Sequence, residues 1–124
     1  MRNQDIKAVA EKAARDAEVH WQHCLEFGLQ DHTPDAHADV DRTVAAYFQR
    51  LQMMPDPAPR SMILGEIETL FSRLDEIKAR FGSGLLETDE REIFVTAIIA
   101  AAEIAGLDLT QFQHRDPTLR FRNF

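Results

Sequence analysis

Apolar residues recur at steps of three and four through most of the chain, the period that winds them onto one stripe of a helix. Ile6, Val9, Ala10, Ala13, Ala17, Trp21 and Cys24 form the first such stripe and predict a helix over about 3–27. Asn3 or Asp5 can cap its start, and Gly28 can end it in a left-handed conformation. Thr33-Pro34-Asp35 is a strong second start, with a capping hydroxyl, a proline suited to the first turn and an acid at the positive end of the dipole. Val40, Val44, Tyr47, Phe48 and Leu51 continue that helix over 34–53. The alternate prolines of Met54-Pro55-Asp56-Pro57-Ala58-Pro59 then force an extended connector.

Ser61 opens a third helix over 62–81, where Ile63, Ile67, Leu70, Phe71, Leu74, Ile77 and Phe81 keep the helical period, and Gly82-Ser83-Gly84 stops it. Thr88 is the expected cap of a fourth helix over 89–105, with Asp89 and Glu90 in its first turn. Ile93, Phe94, Ala97, Ile98, Ala101, Ala102 and Ala105 give this helix a wide apolar face, whose alanines let a neighbour approach closely. The remainder, 107–124, is less regular, with Asp108 and Asp116-Pro117 as caps for short turns. No segment alternates like a strand, and no repeat is present. The expected fold class is therefore all-α: a four-helix bundle or orthogonal helical array with a short, partly helical C-terminal tail. Short connections predict that the first and second helices, and the third and fourth, form antiparallel hairpins. At 124 residues, 44% of them hydrophobic, the chain can build one core as a single helical domain, 1–124, without a disulfide or metal staple.

Charge narrows the classes of partner. The net charge of −7 disfavours nucleic acid and anionic membranes, which require a basic surface, and would suit a basic protein partner. Residues 111–124 carry a balance of +2 on an otherwise acidic body, so the tail is expected to fold back. Arg115, Arg120 and Arg122 beside Phe121 and Phe124 resemble a nucleic-acid-binding composition. Docking of those aromatics on the helices accounts for them more simply. A single cysteine, Cys24, gives no sign of an oxidising compartment, and the N-terminal stretch lacks the apolar core of a signal peptide. A cytoplasmic location is expected.

The most suggestive chemistry lies in the first two helices. Asp16, His20 and His23 follow one edge of the first stripe, and His37 and Asp41 flank the second. If those helices pack as a hairpin, His20, His23, His37 and Asp41 can converge as ligands for zinc or a non-haem iron. The competing reading makes them boundary residues, each imidazole bonded to a nearby carboxylate. No His-Glu-x-x-His element is present, nor the paired Glu-x-x-His elements of di-iron bundles. Cys24, four residues after His20 and central in the stripe, reads as a buried, inert thiol rather than a nucleophile. Glu66, Glu68, Asp75, Glu76, Glu87, Asp89, Glu90 and Glu92 could be taken for a magnesium site, but charge runs usually form solvated faces, and Asp89 and Glu90 are explained by the helix dipole. Gly82-Ser83-Gly84 lacks the lysine and preceding strand of a phosphate loop.

The absence of a catalytic motif favours a small acidic protein-interaction module that binds or neutralises a protein partner, as inhibitor, antitoxin or immunity proteins do. Its acidic surface would steer a basic partner. The broad face of the fourth helix also makes a homodimer an option. The alternative is a metal-binding bundle enzyme or sensor built on the histidines of the first hairpin.

Overall fold

The computed structural model describes residues 1–124 and is all-helical. Four helices, α1 (Arg2–Glu26), α2 (Pro34–Gln52), α3 (Arg60–Phe81) and α4 (Thr88–Ala105), are followed by two 3-10 turns, Leu109–Gln111 and Gln113–Arg115. The buried residues of α1 are Ile6, Ala13, Ala17, Trp21 and Cys24, the core of the stripe read from the sequence. Thr33 Oγ1 accepts from the Ala36 amide at 3.1 Å, so the second start is capped as expected. Thr88 does not cap α4: it is the first helical residue, and Glu87 precedes it with no side-chain cap. Gly28 follows the end of α1 with φ 61°, the left-handed geometry anticipated for it.

Of the two expected hairpins, α1 and α2 form the first, packed antiparallel, and the second is not formed. The principal partner of α1 is α4, and that of α2 is α3, whereas α3 and α4 touch little although a short turn joins them. The alanine face explains this choice. Ala97, Ala101, Ala102 and Ala105 of α4 and Ala13 and Ala17 of α1 are all buried, and side chains this small allow two helices to approach closely. α4 thereby passes beside α1 and brings its N-terminal turn to the C-terminal end of that helix. Tyr47 ties α2 to α4 by donating its hydroxyl to the Ile98 carbonyl at 2.9 Å.

The tail is docked. Phe112, Phe121 and Phe124 pack against the core, Phe124 lies 5.7 Å from Phe71 between ring centroids, and Arg122 pairs with Asp116 at 2.8 Å. Its arginines thus serve packing and pairing within the chain, and Arg115 reaches Glu103 of α4 at 3.4 Å. No helix is long and apolar enough to cross a membrane.

Candidate metal centre

Residues four apart lie on one helix face, so the last turns of α1 present His20 and Cys24 side by side. His20 Nε2 is 3.3 Å from Cys24 Sγ. From the other side, the first turn of α4 supplies Glu90, whose Oε2 lies 2.9 Å from the same nitrogen. Ligand atoms of His20, Cys24 and Glu90 all fall within 4.8 Å of one another. Glu90 is a buried carboxylate, its side chain only 5% exposed, so its immediate partners decide whether it can be accommodated.

The walls come from two connections. Asp31, in the α1–α2 loop at φ 71°, accepts from the Gly84 amide at 2.7 Å and so fastens this loop to the α3–α4 turn. Gly82, at φ 137°, leaves room for that carboxylate; any side chain there would collide with it. The fastened loop delivers His32, buried at 4% exposure, with Nε2 3.3 Å from both Glu90 Oε1 and the Gly84 carbonyl. A pocket of about 340 Å³ opens over the cluster, lined by His20, Cys24 and His32 and rimmed by Glu87 and Asp89. Those two acids add negative potential at the mouth and favour entry of a cation.

The hydrogen bonds among these groups leave two buried atoms without partners. The Gly84 carbonyl can only accept, so His32 Nε2 donates to it, and in the neutral ring His32 Nδ1 accepts. His37 Nε2, 2.8 Å from that Nδ1, is then the donor, which leaves His37 Nδ1 a bare lone pair; this atom is buried and has no hydrogen-bond partner. With the His32 proton directed at Gly84, Glu90 Oε1 is also buried without a hydrogen bond. His20 Nε2 faces both a carboxylate oxygen and a sulfur yet can carry one proton at most. When it donates to Glu90 at 2.9 Å, its contact with the sulfur at 3.3 Å is a weak one. A cation among the three atoms would be bound by an imidazole nitrogen, a thiolate and a carboxylate oxygen at once. A zinc tetrahedron with bonds of about 2.0–2.3 Å has edges of roughly 3.3–3.6 Å; His20 and Cys24 stand 3.3 Å apart, and His20 and Glu90 a shorter 2.9 Å.

Burial around the cluster disfavours charge on His37 and Cys24. Trp21 stacks on His37 with centroids 4.0 Å apart and planes 14° from parallel. Burial, then the neighbouring His32 and His20, holds His37 down to about 4, so it is a neutral base at physiological pH. Burial, then the charges of Glu90 and Asp89, pushes the Cys24 thiol up to about 11. Without a cation the sulfur therefore stays protonated and weakly nucleophilic, in line with the inert thiol expected from its place in the stripe.

Of His20, His23, His37 and Asp41, His20 alone stands in the cluster. His37 reaches it through His32. His23 is exposed and packs on Phe27 at 4.5 Å. Asp41 accepts from Trp21 Nε1 at 2.9 Å, which places it beyond the indole and out of the group. α2 does pack on α1, but there His37 and Asp41 both meet Trp21 rather than His20. Sequence reasoning missed Glu90 and His32. The i, i+4 pair His20–Cys24 was the one available signal, and it lacked its distant partner.

No family model, curated protein or solved structure matches this chain.

Proposed function

We propose that this protein is a transition-metal-binding helical bundle, which holds one divalent ion between α1 and α4 through His20, Cys24 and Glu90. The observation that carries this reading is the convergence of the His20 imidazole, the Cys24 thiol and the buried Glu90 carboxylate, whose ligand atoms all lie within 4.8 Å of one another. A mixed N, S and O donor set suits zinc, and the thiolate favours it over magnesium or calcium. Three protein ligands leave a fourth position toward the pocket, which water can fill. A binding or sensing role fits this set.

A second reading concerns the mouth of the same pocket. Val19, Leu25, Phe27 and Leu29 are exposed apolar side chains near the α1 terminus and its loop, with Val19 73% and Phe27 64% open. Leu29 also lines the pocket. Such residues support the interaction-module reading, in which a protein partner, basic enough to tolerate Glu87 and Asp89, docks over this end. A second copy of the chain would use the same apolar residues.

Native mass spectrometry with one equivalent of zinc tests the metal reading. One bound ion is expected in the unmodified chain, and a joint His20→Ala, Cys24→Ser, Glu90→Gln variant should hold none. Equal zinc retention by both proteins would overturn it. The same spectra report self-association.

A further inference from the structure

A second cavity, of about 300 Å³, lies between α1, α2 and α4 on the other side of Trp21, and its lining is chemically lopsided. Seven of its nine lining residues are apolar, among them Ala13 and Ala14 of α1, Ala45 and Phe48 of α2 and Phe94 of α4. The two that are not apolar, Glu18 and Asp41, are both carboxylates. Glu18 is bonded to the neutral amide of Gln22, and Asp41 to the neutral indole of Trp21, so neither meets a cation of the chain. A neighbouring groove makes the contrast. Between α1 and α4, the carboxylate of Asp16 is neutralised by Lys12 at 2.7 Å, and both line that groove. Here the countercharge is missing.

The energetic mark of that imbalance falls on Asp41. Although the residue is exposed as a whole, its carboxyl is held above the ordinary range, first by desolvation against the apolar wall. The Trp21 hydrogen bond works against this rise, and the charge of Glu18 adds to it. A ligand that brings a positive charge to this end relieves the repulsion, and an apolar body covers the alanine and phenylalanine wall. The volume sits at the lower end of the roughly 300–1,000 Å³ typical of small-molecule sites, which limits the ligand to about one ring with a short chain.

We propose that this groove is a binding site for a small amphiphilic amine, with its ring or chain between Phe48 and Phe94 and its ammonium against Asp41 and Glu18. Asp41 also accepts from Trp21, the single tryptophan, so occupancy is visible in its fluorescence. The site uses none of the residues of the metal cluster, and its test is run in chelator so that the two readings stand or fall separately.

The probe is 2-phenylethylamine, titrated into the full chain at neutral pH and followed by Trp21 fluorescence and calorimetry, with 2-phenylethanol as its uncharged counterpart. Saturable one-to-one binding of the amine is expected, at least tenfold tighter than the alcohol. Asp41→Asn keeps an acceptor for the indole and should weaken the amine at least tenfold. Ala45→Leu fills the groove from an exposed position without disturbing the core, and should abolish binding while the circular dichroism stays unchanged. Non-saturable binding, equal affinity for amine and alcohol, or undiminished affinity in Ala45→Leu would overturn the proposal.

Discussion

His20 Nε2 and Glu90 Oε2 stand 2.9 Å apart although 70 residues separate them in the chain. That contact joins the last turns of α1 to the first turn of α4, and Cys24 lies one turn further along α1 on the same face. A buried carboxylate, an imidazole and a thiol are thus held by two helices that pack through alanines, with little freedom to move apart.

Metal affinity should depend on pH through Cys24. The thiol sits at about 11 in the metal-free chain, so an ion must displace its proton at neutral pH. Affinity for zinc is therefore expected to rise between pH 6 and pH 8, by roughly tenfold per unit from this one proton. Competition titrations with a chromophoric chelator measure it. A Cys24→Ser variant should bind far more weakly and lose most of that slope; an unchanged slope would remove the thiolate from the ligand set.

His37 sets an acid limit on stability. Its folded-state value of about 4 lies below the ordinary 6.5, so the unfolded chain binds the proton first as pH falls. This contribution is complete above pH 6.5 and is lost as pH falls toward 4. Urea titrations of the metal-free protein across that window should show the midpoint dropping on acidification. His37→Phe keeps an aromatic ring against Trp21 and should flatten the dependence; an equally steep fall in that variant would place the acid sensitivity elsewhere.

Gly82 holds the loop that carries His32. At φ 137°, with the Asp31 carboxylate filling the space of a side chain, Gly82→Ala is strained twice over. A loss of about 1–3 kcal/mol is expected in denaturant unfolding. Asp31→Ala should cost less in stability yet also weaken metal binding, since the α1–α2 loop would no longer be fastened at Gly84. Full zinc affinity in Asp31→Ala would show that the loop plays no part in the site.

The helices were legible because each carries its own period. The stripe of α1 needs only local sequence, and so do the Thr33 cap and the proline connector after Gln52. Which helix packs on which was legible only in part: α1 and α2 pair as their short connection suggests, but the alanine faces of α1 and α4 choose each other in place of an α3–α4 hairpin. That one choice decides the site. It moves Glu90 from an acid accounted for by the helix dipole to a buried partner of His20, and it leaves His23 on the outside. His32 was hidden for a different reason: it lies in a loop, where periodicity says nothing, and only the Asp31–Gly84 contact shows where it points. Cys24 carried half a signal, its i, i+4 relation to His20, without the carboxylate that completes it.

Cobalt(II) titration of the metal-free protein is the most direct test of the cluster, because a cobalt–thiolate bond gives a charge-transfer band and tetrahedral cobalt gives intense visible bands. Both should appear together, saturate at one equivalent, and disappear on addition of zinc. Cys24→Ser should abolish the charge-transfer band, and Glu90→Gln should weaken cobalt binding by at least tenfold. Cobalt that binds without a thiolate band, or with the same spectrum in Cys24→Ser, would contradict the assignment of His20, Cys24 and Glu90 as the ligands.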